Sequence, residues 1–200
     1  IVSVGFSTLA EVGFTIDTMK RYGAKQIIFL QCTTSYSDRA IPAKTNLRTM
    51  LDLKERFGVE VGLSDNMGGI EVPVLAAAMG ATMIEKHLVL KKGSQALDDR
   101  FSLSPAEFKE MVTKIRWQEK VKGRVSYGPQ TKAEQYNRRF RRSLFAAADI
   151  KKGEKLTPAN VRSVRPAAGL ATKHYDEIIG QRAATDIKKG TPFSKRLIAS

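Results

Sequence analysis

Cysteine is almost missing from this sequence. Cys32 stands alone, so no disulfide can close within the chain, a usage that fits a reducing, cytoplasmic setting. Long hydrophobic runs are missing as well. The best of them, Val72 to Met79, stops far short of the roughly 20 residues needed to cross a bilayer, and the chain is expected to be soluble. No initiator methionine is present, and no charged segment leads into an apolar stretch with a small-residue cleavage site, so nothing marks a signal peptide. Acidic residues are scarce beside basic ones, 20 against 34, which leaves a formal charge of +14. What remains, 42% hydrophobic and 27% charged, is an ordinary globular composition that excludes disorder throughout and allows one large or two small domains.

The distribution of that charge matters more than its size. Residues 1–122 are close to balanced, whereas residues 123–142 and 143–200 hold most of the excess. A basic surface steers an anionic small molecule as readily as a polyanion, so charge alone does not name the partner.

Across residues 1–122, apolar strand-like runs alternate with helical patterns. Ile1 to Gly5, Gln26 to Cys32, Glu60 to Ser64 and Thr82 to Leu88 read as strands. Leu9 to Tyr22, Thr45 to Phe57, Val72 to Met79 and Pro105 to Val121 read as helices. Ser7 is the expected N-cap of the first, and Ser104-Pro105 with Glu107 forms a capping box at the last. Such alternation predicts a parallel sheet with helical crossovers. Four units are half of a closed eight-stranded barrel, so the expectation is either a small open sheet or, preferred, a preceding segment that completes the barrel.

Gly123 to Arg142 is polar, basic and without apolar periodicity, as a linker would be. Beyond it, Asp149-Ile150-Lys151-Lys152-Gly153 recurs as Asp186-Ile187-Lys188-Lys189-Gly190, which predicts a pseudo-twofold module of short strands. Brief helical pieces are expected at Pro158 to Val161 and Tyr175 to Ile179.

Several stretches, in this order, resemble the sialic acid synthase family: Ser3-Val4-Gly5-Phe6, Cys32-Thr33-Thr34-Ser35-Tyr36, Val61-Gly62-Leu63-Ser64-Asp65, Gly80 to His87 (GATMIEKH), Phe101-Ser102-Leu103 and Asn160 to Pro166 (NVRSVRP). The resemblance implies an α/β fold: the second half of a (β/α)8 TIM barrel over 1–122, a basic linker over 123–142, and a small β-clip (antifreeze-like, SAF) domain over 143–200. It implies condensation of phosphoenolpyruvate with an N-acetylated amino-sugar aldehyde of the N-acetylmannosamine type, releasing phosphate and a nonulosonic acid. It also implies a divalent metal, Mn or Mg, and a domain-swapped homodimer.

Carried over position by position, the resemblance gives His87 and Asn66 as metal ligands, although the family has a histidine where Asn66 stands. Ser64 and Asp98 fall closest to the chemistry, as groups for the phosphoenolpyruvate anion and the sugar. Ser3, Thr34 and Tyr36 are substrate-binding, and Arg165 reaches a neighbouring subunit's site, where its fixed fork of donors suits an N-acetyl group. Glu85 and Lys86 fall on opposite faces of their strand, one of them facing the interior. The family's pattern is also altered at Val4, Gln31, Ser37 and Gln95 to Leu97.

Against five of these stands a plainer reading: a structural histidine for His87, a loop residue for Asn66, a half-buried aromatic for Tyr36, a solvated carboxylate for Asp98, an unremarkable surface cation for Arg165. Two other functions stay open. One is a degenerate homologue that binds a sugar or an anion without turnover. The other, ranked last, is nucleic-acid binding through Arg138, Arg139, Arg141 and Arg142 with Tyr136 and Phe140 interleaved.

Overall fold

The structure, a computed structural model, describes residues 1–94 and 96–199. It divides into two compact units, residues 1–124 and 125–200.

The first unit runs β1 (Val2–Ser3), α1 (Leu9–Arg21), β2 (Ile28–Ser37), α2 (Pro42–Thr45), α3 (Arg48–Phe57), β3 (Glu60–Met67), α4 (Glu71–Ala78), β4 (Met83–Lys86) and α5 (Pro105–Lys122). The strands form one parallel sheet in the order β1-β2-β3-β4. One face of that sheet takes the helices. Val4, Phe29 and Val61 pack with Val12 and Ile16 of α1 and with Met50 and Leu53 of α3. Leu63 packs with Ala76 of α4, and Met111 of α5 closes over Ile70 and Leu103. Each of these side chains larger than alanine contributes about 1.5–3 kcal/mol by leaving water. Alternation therefore turns Cys32, Thr34, Ser64, Asn66, Glu85 and His87 to the opposite face, the one a closed barrel would enclose.

The local signals are specific. α5 begins with the expected capping box, Ser104 Oγ accepting from Glu107 N while Glu107 Oε2 accepts from Ser104 N. At α1 the cap is one residue later than expected, because Thr8 rather than Ser7 makes the reciprocal pair with Glu11. β2 and β3 run past Cys32 and Ser64 to Ser37 and Met67, and a separate turn of helix, α2, precedes α3. At Gly62 a Cβ would collide with the Met83 carbonyl and a Leu30 methyl, so only glycine lets β4 approach β3 there.

The second unit contains α6 (Lys132–Asn137), a 3₁₀ turn at Arg138–Phe140, β5 (Ser143–Ala146), β6 (Val161–Val164) and α7 (Tyr175–Ile178). The segment read as linker thus holds ordered helix. Thr131 caps α6 through a box with Glu134. Pro158 to Asn160 is a turn leading into β6 instead of a helix.

The repeat explains the core of this unit. Ile150 and Ile187 exchange both backbone hydrogen bonds at 2.8 Å, as a pseudo-twofold requires. Asp186 accepts from Lys152 N and Asp149 from Lys189 N, each at 2.8 Å. Gly153 and Gly190 sit at φ +82° and +83°, conformations that other residues enter only with strain. Leu144, Leu156, Val161, Ile178 and Phe193 fill the interior.

Candidate active site

Parallel strands of this kind deliver their C-terminal ends, and the loops after them, to one side of the sheet. Register sets what meets there: Ser64 lies beside Glu85, and Asp65 beside Lys86.

On the helix side, Asp65 and Lys86 form an ion pair at 2.7 Å with side chains 1% and 0% exposed. The Lys86 ammonium also donates to the Met67 carbonyl, and Asp65 Oδ1 accepts from Met67 N at 3.1 Å. Burial pushes the Asp65 carboxyl above its ordinary range, against the opposing pull of the Lys86 charge. The pair pins the end of β3 and so fixes the direction of Asn66.

On the opposite face, Ser64 Oγ donates to Glu85 Oε1 at 2.7 Å. The Asn66 amide nitrogen donates to Cys32 Sγ and the Thr33 carbonyl, both at 3.3 Å, which aims its oxygen at His87 Nε2, 3.1 Å away. His87 Nδ1 lies 3.4 Å from Asp98 Oδ2. Phe101 meets the imidazole edge to face at 5.0 Å between centroids, and Tyr36 closes the cluster at 5.1 Å from Phe101 and 6.1 Å from His87. A cavity of about 230 Å³ is lined by Ser64, Asn66, Glu85 and His87 among others.

Five of the expected residues are therefore brought together: Ser64, Asn66, His87, Asp98 and Tyr36. Ser3 and Thr34 lie on the same face but do not line this cavity; Thr34 packs its methyl group against Gly5 instead. Arg165 is exposed on the second unit, just beyond β6. In the loop before α5, Leu97 is exposed, while Gln95 lies outside the described residues. Two contributors went unassigned from sequence. Glu85 is the member of the Glu85-Lys86 pair that faces inward, which alternation left open until the register was known. Phe101 was visible only as part of a motif, and its role as the wall behind His87 depends on the loop that brings it back.

In the tautomer with its proton on Nε2, His87 donates to Asn66 Oδ1; in the tautomer with its proton on Nδ1, toward Asp98, Nε2 and Asn66 Oδ1 are two acceptors 3.1 Å apart, which a cation would bridge. A carboxylate behind the far ring nitrogen is the usual support of a ligating imidazole. The amide oxygen suits Mg or Mn, and the imidazole favours Mn of the two, so this pair fits a divalent ion as two of its ligands. Among the described residues no group of three or more His, Cys, Asp or Glu side chains forms a cage. Nor is any described helix long and apolar enough to cross a membrane.

A (β/α) half-barrel with a polar strand-end site, carried in one chain with a small β module, defines a class of two-part α/β proteins. Within that class the chain belongs to the NeuB family, whose profile matches residues 1–127, and a SAF domain profile matches residues 141–199. It is 43% identical over 190 residues to the pseudaminic acid synthase of Campylobacter jejuni, covering 95% of this chain and 54% of that protein. To the N,N'-diacetyllegionaminic acid synthase of the same organism it is 37% identical, covering 94% and 57%. Among solved structures, the spore coat polysaccharide biosynthesis protein SpsE of Bacillus subtilis superposes with a TM-score of 0.57 at 30% identity, covering 100% of this chain and 61% of that one. The sialic acid synthetase of Leptospira borgpetersenii gives 0.60 at 31%, covering 68% and 47%. The chain thus spans about half the length of the curated relatives it matches. The fold is the expected one, the second half of a (β/α)8 barrel followed by a SAF domain.

Proposed function

We propose that the protein carrying this chain joins phosphoenolpyruvate to an N-acetylated amino-sugar aldehyde, with water, releasing phosphate and a nonulosonic acid. The observation that carries this reading is the gathering of Ser64, Asn66, His87, Asp98 and Tyr36 at the strand ends of a NeuB-family half-barrel. Relatives named pseudaminic acid synthases, at 43% and 40% identity, favour a pseudaminic-type product over the N-acetylmannosamine-derived acid. On this reading a segment before Ile1 supplies the other four strands.

A divalent metal belongs to the proposal, with His87 and Asn66 to hold it, and when bound it would polarise the aldehyde carbonyl. The chain's own groups do the rest. Asp98 orients the His87 ring and is placed to accept from a sugar hydroxyl. Ser64, which donates to Glu85, can turn its hydroxyl to the phosphoenolpyruvate anion; Glu85 is left as an acceptor for a hydroxyl or water. Tyr36 and Phe101 wall the imidazole and limit water around it. Ser3 and Thr34 extend the polar face, and Arg165 is assigned to the N-acetyl group in the partner subunit of a domain-swapped homodimer.

The test is phosphate release from phosphoenolpyruvate by the full gene product, with Mn or Mg and either the pseudaminic acid precursor or N-acetylmannosamine. Turnover with one aldehyde, falling at least about 100-fold in His87→Ala with unchanged melting, is the expected result. No turnover with either aldehyde under any metal would overturn it. A second reading, a homologue that binds a sugar or an anion without turnover, is favoured by the neutral amide at Asn66; binding of the aldehyde without phosphate release would select it.

A further inference from the structure

Residues 125–200 carry 16 Lys and Arg against 6 Asp and Glu, and the excess is not spread evenly. Arg138, Arg139, Arg141 and Arg142 line a single cleft of about 380 Å³, together with Gly169 and Thr172, and no acidic residue contributes to its wall. Among the described residues none of the four guanidinium groups lies in ion-pair reach of a carboxylate.

The backbone that carries these arginines is anchored, and two of the four side chains, Arg139 and Arg142, have partners of their own. Ala167 N donates to the Arg139 carbonyl at 2.9 Å, and Arg142 Nη1 donates to the Ser163 carbonyl at 2.7 Å. Ser143, 1% exposed, joins the next residue to the same loop, donating to the Pro166 carbonyl and accepting from Gly169 N. The Arg139 guanidinium lies 3.7 Å from the Tyr136 ring centroid and 4.7 Å from that of Phe140. Cations fixed side by side without a counter-charge repel one another, and a dense anion between them removes that repulsion. The planar guanidinium fork matches phosphate oxygens two at a time. The volume lies within the roughly 300–1,000 Å³ of small-molecule sites, whereas a single strand of nucleic acid needs a groove that follows several phosphates.

We propose that this cleft binds the diphosphate group of a small ligand, free pyrophosphate and a nucleoside diphosphate being its two simplest forms. It shares no lining residue with the strand-end cavity and does not rest on the synthase reading, since the readout is binding.

The probes are pyrophosphate and ADP, titrated calorimetrically into the full gene product at low salt. Arg138 and Arg141 are the informative positions, because their side chains make no hydrogen bond among the described residues and their loss leaves the arm anchored. Arg138→Gln with Arg141→Gln weakens both probes by at least about tenfold. Lys109→Gln, an exposed cation on the first unit, changes them less than about twofold. The proposal fails if pyrophosphate does not bind, if Lys109→Gln costs as much as the arginine pair, or if Ser64→Ala abolishes binding that the arginine pair retains. It fails equally if ADP binds where pyrophosphate does not, or if a single strand of about 12 nucleotides binds at least about 100-fold tighter through the same arginines.

Discussion

At the scale of single residues, the buried Asp65–Lys86 pair is the most consequential contact outside the reactive groups. Its charges satisfy each other and the Met67 backbone, so removing one partner strands the other in a dry environment. Lys86→Met should cost about 3–5 kcal/mol in urea unfolding, and Asp65→Leu added to it should return much of that loss. A single variant that melts like the wild type would contradict the clamp role. Ser64, Asn66 and His87 were legible because the family motifs carry them in order. Glu85 was not, because a strand's alternation states that two neighbours face opposite ways without stating which faces in. The register of β4 against β3 decides it, setting Glu85 beside Ser64 and Lys86 beside Asp65.

At the scale of elements, the doubled Asp-Ile-Lys-Lys-Gly segment shows how a sequence repeat becomes a structural one. Asp149 and Asp186 each receive a backbone N–H from the other copy, and those hydrogen bonds, with nearby lysines, hold both carboxyls below their ordinary range. A depressed carboxyl contributes stability that is present above the unfolded value, near about 3.9, and is lost as pH falls through the folded one. The second unit should therefore begin to lose thermal stability below about pH 4, and the Asp149→Asn, Asp186→Asn variant should be weaker at neutral pH with a shallower acid decline. Circular dichroism melts between neutral and acid pH check this; parallel acid declines in the two proteins would remove the carboxylates from the account. The capping boxes at Ser104 and Thr131 are equally local, which is why the first was readable. The second was hidden by the basic, aperiodic composition around it.

At the scale of the whole molecule, the proposal places Arg165 of one subunit at the partner's strand-end site. That arrangement predicts complementation. Full gene products carrying His87→Ala and Arg165→Ala, each nearly inactive, should recover up to about a quarter of wild-type activity when unfolded and refolded together, because mixed dimers pair one intact barrel with one intact tail. No recovery from a mixture shown to contain mixed dimers would exclude the exchange. The sequence by itself determined the order of the main strands and helices of the first unit, the two-part division, the repeat and most of the polar residues at the strand ends, since periodicity, capping and motif order are local properties. Only the tertiary structure decided that Asn66 aims its oxygen at His87, that Phe101 returns to wall the imidazole, and that four arginines of an apparent linker share one cleft. Those outcomes depend on strand register and loop closure, contacts between residues far apart in the chain, which no local pattern specifies.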